Sequence, residues 1–282
     1  RGRFAIRSRP WNHHFPSSLI NTLDQNTPRK RTGRPRSSQY RRKRHSTPAA
    51  RDFAAPSTEL KLTASVVEAE PIAFEKLNLN PLLALGILDR GFTTATPIQS
   101  AVFSLVRSGR DLIASAETGS GKTAAYLLPV LDQLLTPNNL ANKSASGSKQ
   151  TKVLVLAPTR ELVVQIDDDL QGFAYHTGLT SAAVFGGTPI GPQAQALSAG
   201  VDVVVATPGR LLDHLRGGIP SFAQLNTLIL DEADRMLDMG FWPDVRRIIS
   251  NIPSRNESKK SSHQILLFSA TIPDWVLKPL ME

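Results

Sequence analysis

The sequence contains no cysteine. Disulfides and thiolate metal sites are therefore excluded, while the redox compartment stays open because zero cysteine suits any environment. No apolar run approaches the ~18 residues of a membrane-spanning helix, so no membrane partner is expected. The six histidines show no metal-binding spacing: His13, His14 and His45 sit in the N-terminal region, and His176, His214 and His263 are isolated. Residue 1 is Arg and the first methionine is Met236, so the natural start is expected to lie upstream. Acids are nearly missing from residues 1–52, where 14 Lys and Arg face only Asp24 and Asp52. Of 33 basic and 24 acidic residues in all, this leaves 19 against 22 in the remainder. The sequence pI of about 10.1 thus belongs to one end of the chain. A like-charged block of this kind stays solvated and attracts polyanions. Its Arg- and Ser-rich, acid-poor composition also matches a mitochondrial or chloroplast transit peptide, the alternative to a cytoplasmic location.

Residues 1–70 show no sustained periodicity and read as a disordered basic tail. From residue 71 to 282 the pattern is that of one α/β domain. A helix is expected over Pro81–Arg90, ended by Gly91, and another from Pro97, where proline suits the first turn. Short apolar runs then recur at Leu112–Ser115, Val153–Ala157, Ala182–Phe185, Val203–Ala206, Leu228–Leu230 and Ile265–Phe268. Strands this apolar are covered on both faces, as in a parallel sheet flanked by helices. Two polar inserts, Thr136–Thr151 and Ser254–His263, read as surface loops.

Two segments carry phosphate and metal chemistry. The first runs from Ala116 through Glu117, Thr118, Gly119, Ser120, Gly121 and Lys122 to Thr123, between an expected strand and an expected helix. The glycines let backbone N–H groups converge on phosphate oxygens, and the helix N-terminus adds its positive dipole. Lys122 supplies a point charge, and the Thr123 hydroxyl suits Mg²⁺. Ala116 stands where such loops usually begin with Gly. In the second segment, Leu228–Leu230 delivers Asp231 and Glu232 to the carboxyl end of a strand, where ligands of open parallel sheets bind. Asp231 can position Mg²⁺, largely through water, and Glu232 can orient and deprotonate an attacking water. The other reading, acids capping a helix start, is weaker beside the phosphate loop. Asp167–Asp169 reads as the solvated face of a helix.

Taken in order from Phe74 to Thr271, the motifs resemble the first RecA-like domain of a DEAD-box RNA helicase. Gly91–Gln99, containing Thr96, resembles the family's Q motif, with Phe74 as the upstream aromatic. The resemblance implies that Gln99 reads the adenine edge of ATP while Phe74 stacks on the base; without Gln99, Phe74 would read as a core aromatic. Pro158–Leu162, containing Thr159 and Arg160, resembles motif Ia, followed by Val163 where the family has Ala. Gly186 and Gly187 resemble the GG element, and Thr207, Pro208, Gly209 and Arg210 resemble motif Ib. These imply a grip on the RNA sugar-phosphate backbone, which positions a strand without reading its sequence. Arg160 and Arg210 as ordinary surface ion pairs are the alternative. Ser269 and Thr271 resemble motif III, with Asp234 as the expected partner; in isolation they would equally suit a polar loop after a strand. The resemblance implies an ATP-dependent RNA helicase and RNA-stimulated ATPase that unwinds duplexes locally, working as a monomer with ATP and Mg²⁺. An ATP-gated RNA clamp without productive turnover is the alternative. A second RecA-like domain is expected as partner in the parent chain. The 282 residues alone are expected to bind ATP weakly and hydrolyse it poorly, because arginine fingers supply much of the rate.

Overall fold

The computed structural model describes residues 2–9, 63–137, 139, 150–252 and 263–271. Most of the two polar inserts, and residues 10–62 of the basic N-terminal region, lie outside the described residues. Among those described, the main sheet has eight strands in the order β2-β1-β5-β10-β9-β6-β8-β7. Here β1 is Gly2–Arg9, β2 Thr63–Ala69, β5 Asp111–Ser115, β6 Val153–Leu156 and β7 Ser181–Val184. Further along, β8 is Val203–Ala206, β9 Thr227–Leu230 and β10 Gln264–Ser269. From β5 to β7 every neighbouring pair is parallel.

The six parallel strands are the six apolar runs of the sequence, and their alternation builds two cores. Val153, Val155, Val203, Val205, Ile229, Leu266 and Phe268 point to one face. Leu154, Leu156, Val204, Leu228, Leu230 and Leu267 point to the other. This is the two-residue period of a strand buried on both sides. Helices α1 (Pro81–Asp89), α2 (Pro97–Arg107), α3 (Lys122–Leu134) and α4 (Arg160–Ala174) contribute buried residues to the first core. Helices α5 (Ile190–Ala199), α6 (Pro208–Arg216), α7 (Ala233–Asp238) and α8 (Trp242–Asn251) contribute to the second. The fold is therefore a doubly wound α/β sheet. Val163 and Met236 are fully buried, which gives both a packing role.

Local signals explain the helix ends. The Asn80 side chain accepts the Leu82 N–H at 3.0 Å ahead of Pro81, and Gly91 at φ 77° closes α1. At Gly86 an added Cβ would lie 2.2 Å from the Phe173 carbonyl oxygen, so α1 crosses α4 at a distance only glycine permits. Asp167–Asp169 does lie on α4, but not as a freely solvated row: Asp169 pairs with Arg90 at 2.6 Å, and Asp167 accepts from Gln171 at 2.7 Å.

The N-terminal region departs from the expectation of a structureless stretch up to residue 70. Strand β1 runs antiparallel to both β5 and β2, with Ile6 buried opposite Ala114. The sequence hides these strands because a compositional reading averages Phe4 and Ile6 with the surrounding arginines. Their two-residue spacing is a strand signal too short to stand out. A second, two-stranded sheet pairs β3 (Ile72–Ala73) with β4 (Thr94–Ala95), which ties Phe74 to the Gly91–Gln99 segment.

Candidate functional site

The carboxyl ends of the six parallel strands form one edge, and every motif except the Gly91–Gln99 segment lies along it. In spatial order come the phosphate loop after β5, Ser269–Thr271 at the end of β10, and Asp231–Asp234 after β9. Pro158–Arg160 after β6, Thr207–Arg210 after β8 and Gly186–Gly187 after β7 complete the row. Ligands of open α/β sheets bind along this edge.

The phosphate loop turns through Gly119 at φ 82° and Gly121 at φ 91°. Thr118 and Gly119 are exposed at its crest, whereas Ala116 and Lys122 are buried. The Lys122 Nζ donates to the Ala116 carbonyl at 2.6 Å. Ser120 Oγ donates to the Glu117 carbonyl at 2.7 Å. Behind the loop lies the Q-motif segment. Thr96 Oγ1 donates to the Ser120 carbonyl at 2.9 Å, Gln99 Nε2 donates to the Gly121 carbonyl at 3.2 Å, and Gln99 Oε1 accepts the Thr96 N–H at 2.9 Å. The last bond is half of a capping box at the start of α2. An added Cβ at Gly121 would sit 2.6 Å from Gln99 Nε2, so glycine is what allows this contact.

These contacts modify two readings. Gln99 is buried, with one N–H and one lone pair already engaged; a carboxamide retains a second of each for an adenine edge. Phe74 is 7% exposed and packed in the first core, so its ring face is a core surface here rather than an open stacking platform. The reason is the β3–β4 pairing, which draws Phe74 inward and lets its N–H donate to the Thr93 carbonyl at 3.2 Å.

Asp231 is 3% exposed, and its carboxyl is pushed up to about 6. Burial is the main cause; the Glu232 charge adds to it, while hydrogen bonds from Tyr126 and the Glu232 N–H, with the Lys122 ammonium, pull the other way. Asp231 Oδ2 accepts from Tyr126 Oη at 2.8 Å, and Oδ1 accepts from the Glu232 N–H at 2.9 Å. Glu232 adopts the left-handed conformation at φ 48° and ψ 50°, and its Oε2 accepts from Arg235 at 2.7 Å. A base role for Glu232 therefore requires sharing or releasing Arg235. A buried carboxylate beside a lysine and a hydroxyl-bearing Thr123, at the foot of a curled glycine loop, fits a metal-bound polyphosphate.

Motif III and the acidic tetrapeptide are laced together. Asp234 Oδ2 accepts from the Thr271 N–H at 2.9 Å and from Thr271 Oγ1 at 3.0 Å, and Ser269 Oγ accepts the Asp234 N–H at 3.2 Å. Partial burial raises the Asp234 carboxyl, but these bonds outweigh it and the net shift is downward.

The other half of the edge is more open. Thr159 caps α4 by accepting the Leu162 N–H at 3.3 Å. The Arg160 side chain is 55% exposed, with its guanidinium 5.9 Å from the Phe185 ring centroid. Its neighbour Glu161 lies 3.6 Å away, a weak version of the surface pair. Gly186 and Gly187 are exposed, Thr207 and Gly209 half-buried, and Pro158 and Pro208 buried as shape-setting residues. Arg210 donates to the Thr188 carbonyl at 2.9 Å, and Gln193 Nε2 donates to Thr188 Oγ1 at 2.7 Å and to the Phe185 carbonyl at 3.0 Å. A brace thus ties Gly186–Gly187 to α6. The sequence reading missed Gln193 and Tyr126; the available signal for Tyr126 was its position one helical turn after Lys122.

The comparisons with known proteins agree with this layout. A family model described as DEAD/DEAH box helicase matches residues 96–278. The chain is 42% identical over 220 residues to DEAD-box ATP-dependent RNA helicase 40 of Arabidopsis thaliana, covering 78% of this chain and 19% of that protein. It is 44% identical over 200 residues to DEAD-box ATP-dependent RNA helicase 30 of the same plant, covering 71% and 32%. With ATP-dependent RNA helicase vasa of Drosophila melanogaster it shares 42% over 216 residues, covering 76% and 31%. The chain spans no more than about a third of the length of these relatives. With the family model matched over most of the α/β domain, and its motifs aligned on one sheet edge in the order their chemistry requires, the chain belongs to the DEAD/DEAH box helicase family.

Proposed function

We propose that this chain is the ATP-binding half of an ATP-dependent RNA helicase that separates short duplexes locally. The observation that carries the reading is that the phosphate loop and the buried Asp231 stand after β5 and β9 on one sheet edge, joined by the Tyr126 hydroxyl, next to a row of exposed and half-buried groups suited to gripping a backbone. ATP would lie on the phosphate loop, with Lys122 exchanging the Ala116 carbonyl for a phosphate oxygen. Thr123 and Asp231 would hold Mg²⁺, which supplies charge neutralisation of the phosphates. Glu232 would orient the attacking water. Asp234, Ser269 and Thr271 would pass the change of nucleotide state towards the RNA side.

On that side Thr159, Arg160, Gly186, Gly187, Thr207, Gly209 and Arg210 would contact phosphates and sugars, so unwinding would be independent of sequence. A second RecA-like domain of the same protein would close over both ligands and supply arginine fingers, with the protein acting as a monomer. The basic N-terminal region supports either an RNA-holding extension in the cytoplasm or organelle targeting. The test is ATP hydrolysis and strand displacement by a chain carrying both domains, with RNA, DNA or neither. RNA-selective stimulation lost in Lys122→Ala is expected; stimulation that survives this substitution overturns the assignment.

A further inference from the structure

The phosphate-loop helix carries a buried hydroxyl whose placement the motifs do not explain. Tyr126 follows Lys122 by four residues on α3, so both leave the same side of the helix. Its side chain is fully buried. Tyrosine in such a place finds a partner for its hydroxyl, and here the partner is Asp231 Oδ2 at 2.8 Å. The Thr123 side chain acts on the same hydroxyl. The Tyr126 ring meets Phe268 at 5.1 Å between centroids, tilted by 56°. Phe268 immediately precedes Ser269 on β10. One side chain therefore spans the three central strands of the nucleotide half: it descends from the helix after β5, rests on β10 and ends on the acid after β9.

We propose that Tyr126 is a positioning residue for the metal: its buried hydroxyl holds the Asp231 carboxylate in place before Mg²⁺ and nucleotide arrive. The inference rests on the ATP·Mg²⁺ reading above. With Oδ1 fixed by the Glu232 N–H and Oδ2 by Tyr126, the carboxylate plane has one orientation, and its remaining lone pairs define where a cation or its water shell meets it. Such outer partners of metal ligands commonly govern metal affinity by ten- to a hundredfold. A phenylalanine would keep the ring contact with Phe268 and the packing of the first core. It would free the carboxylate to turn and leave it short of one donor in a desolvated site.

The test is binding of a fluorescent ATP analogue to the 282-residue chain, titrated with MgCl₂ and repeated in EDTA, without RNA. For Tyr126→Phe, half-saturating Mg²⁺ is expected to rise about tenfold, while affinity in EDTA stays at the wild-type value. Phe268→Leu serves as the packing control, expected to lower the melting temperature without moving the Mg²⁺ midpoint. An unchanged Mg²⁺ midpoint in Tyr126→Phe overturns the positioning role. So does an equal loss with and without metal, which would make Tyr126 a packing residue only. If wild-type protein shows no Mg²⁺-dependent nucleotide binding, the ATP·Mg²⁺ reading itself falls, and this inference with it.

Discussion

The two halves of the sheet edge are built on opposite plans. On the β5–β10–β9 side, buried polar groups are bonded to their neighbours, Lys122 to Ala116, Gln99 to Gly121 and Tyr126 to Asp231, and at the rim the exposed Thr271 is bonded to Asp234. On the β6–β8–β7 side Arg160, Gly186 and Gly187 stand open, Thr207 and Gly209 are half-buried, and Arg210 is the cation of the row whose guanidinium is bonded to a backbone carbonyl. The difference matches the proposed ligands. A triphosphate with its metal has one geometry, and a prearranged site loses little on binding it. A flexible RNA backbone is better met by exposed donors that settle on contact.

The largest blow to this contrast would come from the prearranged side. Lys122→Ala should reduce RNA-stimulated ATP hydrolysis of the two-domain protein on the order of a thousandfold, as loss of a key charge-stabilising donor does. Hydrolysis assays at saturating RNA read this directly.

Next in size is a stability effect of the buried acid. The Asp231 pKa is raised from 3.8 to about 6 on folding. The folded state thus holds more protons between these values, and stability falls as pH rises through that window. Asp231→Asn should remove the penalty and stabilise the protein near pH 7.5 by up to about 3 kcal/mol, with the gain shrinking towards pH 4. Asp234 has the opposite sign: its lowered pKa gives stability at neutral pH that is lost in acid. Thermal melts of wild type and Asp231→Asn across pH 4–8 would show whether burial dominates as described.

The open side should give smaller, salt-linked changes. Arg160→Ala is expected to weaken RNA binding roughly tenfold and to reduce the salt slope by about one. Arg210→Ala should do less to the slope, because that guanidinium already bonds the Thr188 carbonyl. Binding isotherms at several salt concentrations separate the two. The smallest effect is that of the brace: Gln193→Ala should cost about 1 kcal/mol of stability, read by urea unfolding, with a matching slight loss of RNA affinity.

What the sequence made legible follows burial. The six parallel strands stood out because residues such as Val153–Leu156 and Val203–Ala206 are apolar on both faces. Strand β1 did not, since its few apolar residues sit among arginines, and β3 and β4 are only two residues long. Yet that short pair decides that Phe74 faces the core, a point no spacing could give. Lys122, Asp231 and the Thr271 contact to Asp234 were readable because their residue types and order are specific. Tyr126 was hidden in the run Ala124–Leu128, where an aromatic reads as core; only the fold across β9 reveals its hydroxyl's partner.

Glu232 is one of two non-glycine residues with positive φ among those described, the other being Asn78. Left-handed backbone costs an ordinary L-residue about 1–2 kcal/mol, and glycine would escape that cost. Heat selection alone would therefore drive position 232 away from glutamate and remove the group proposed to orient water. Laboratory efforts to harden this protein should leave that torsion untouched and look for their gains elsewhere.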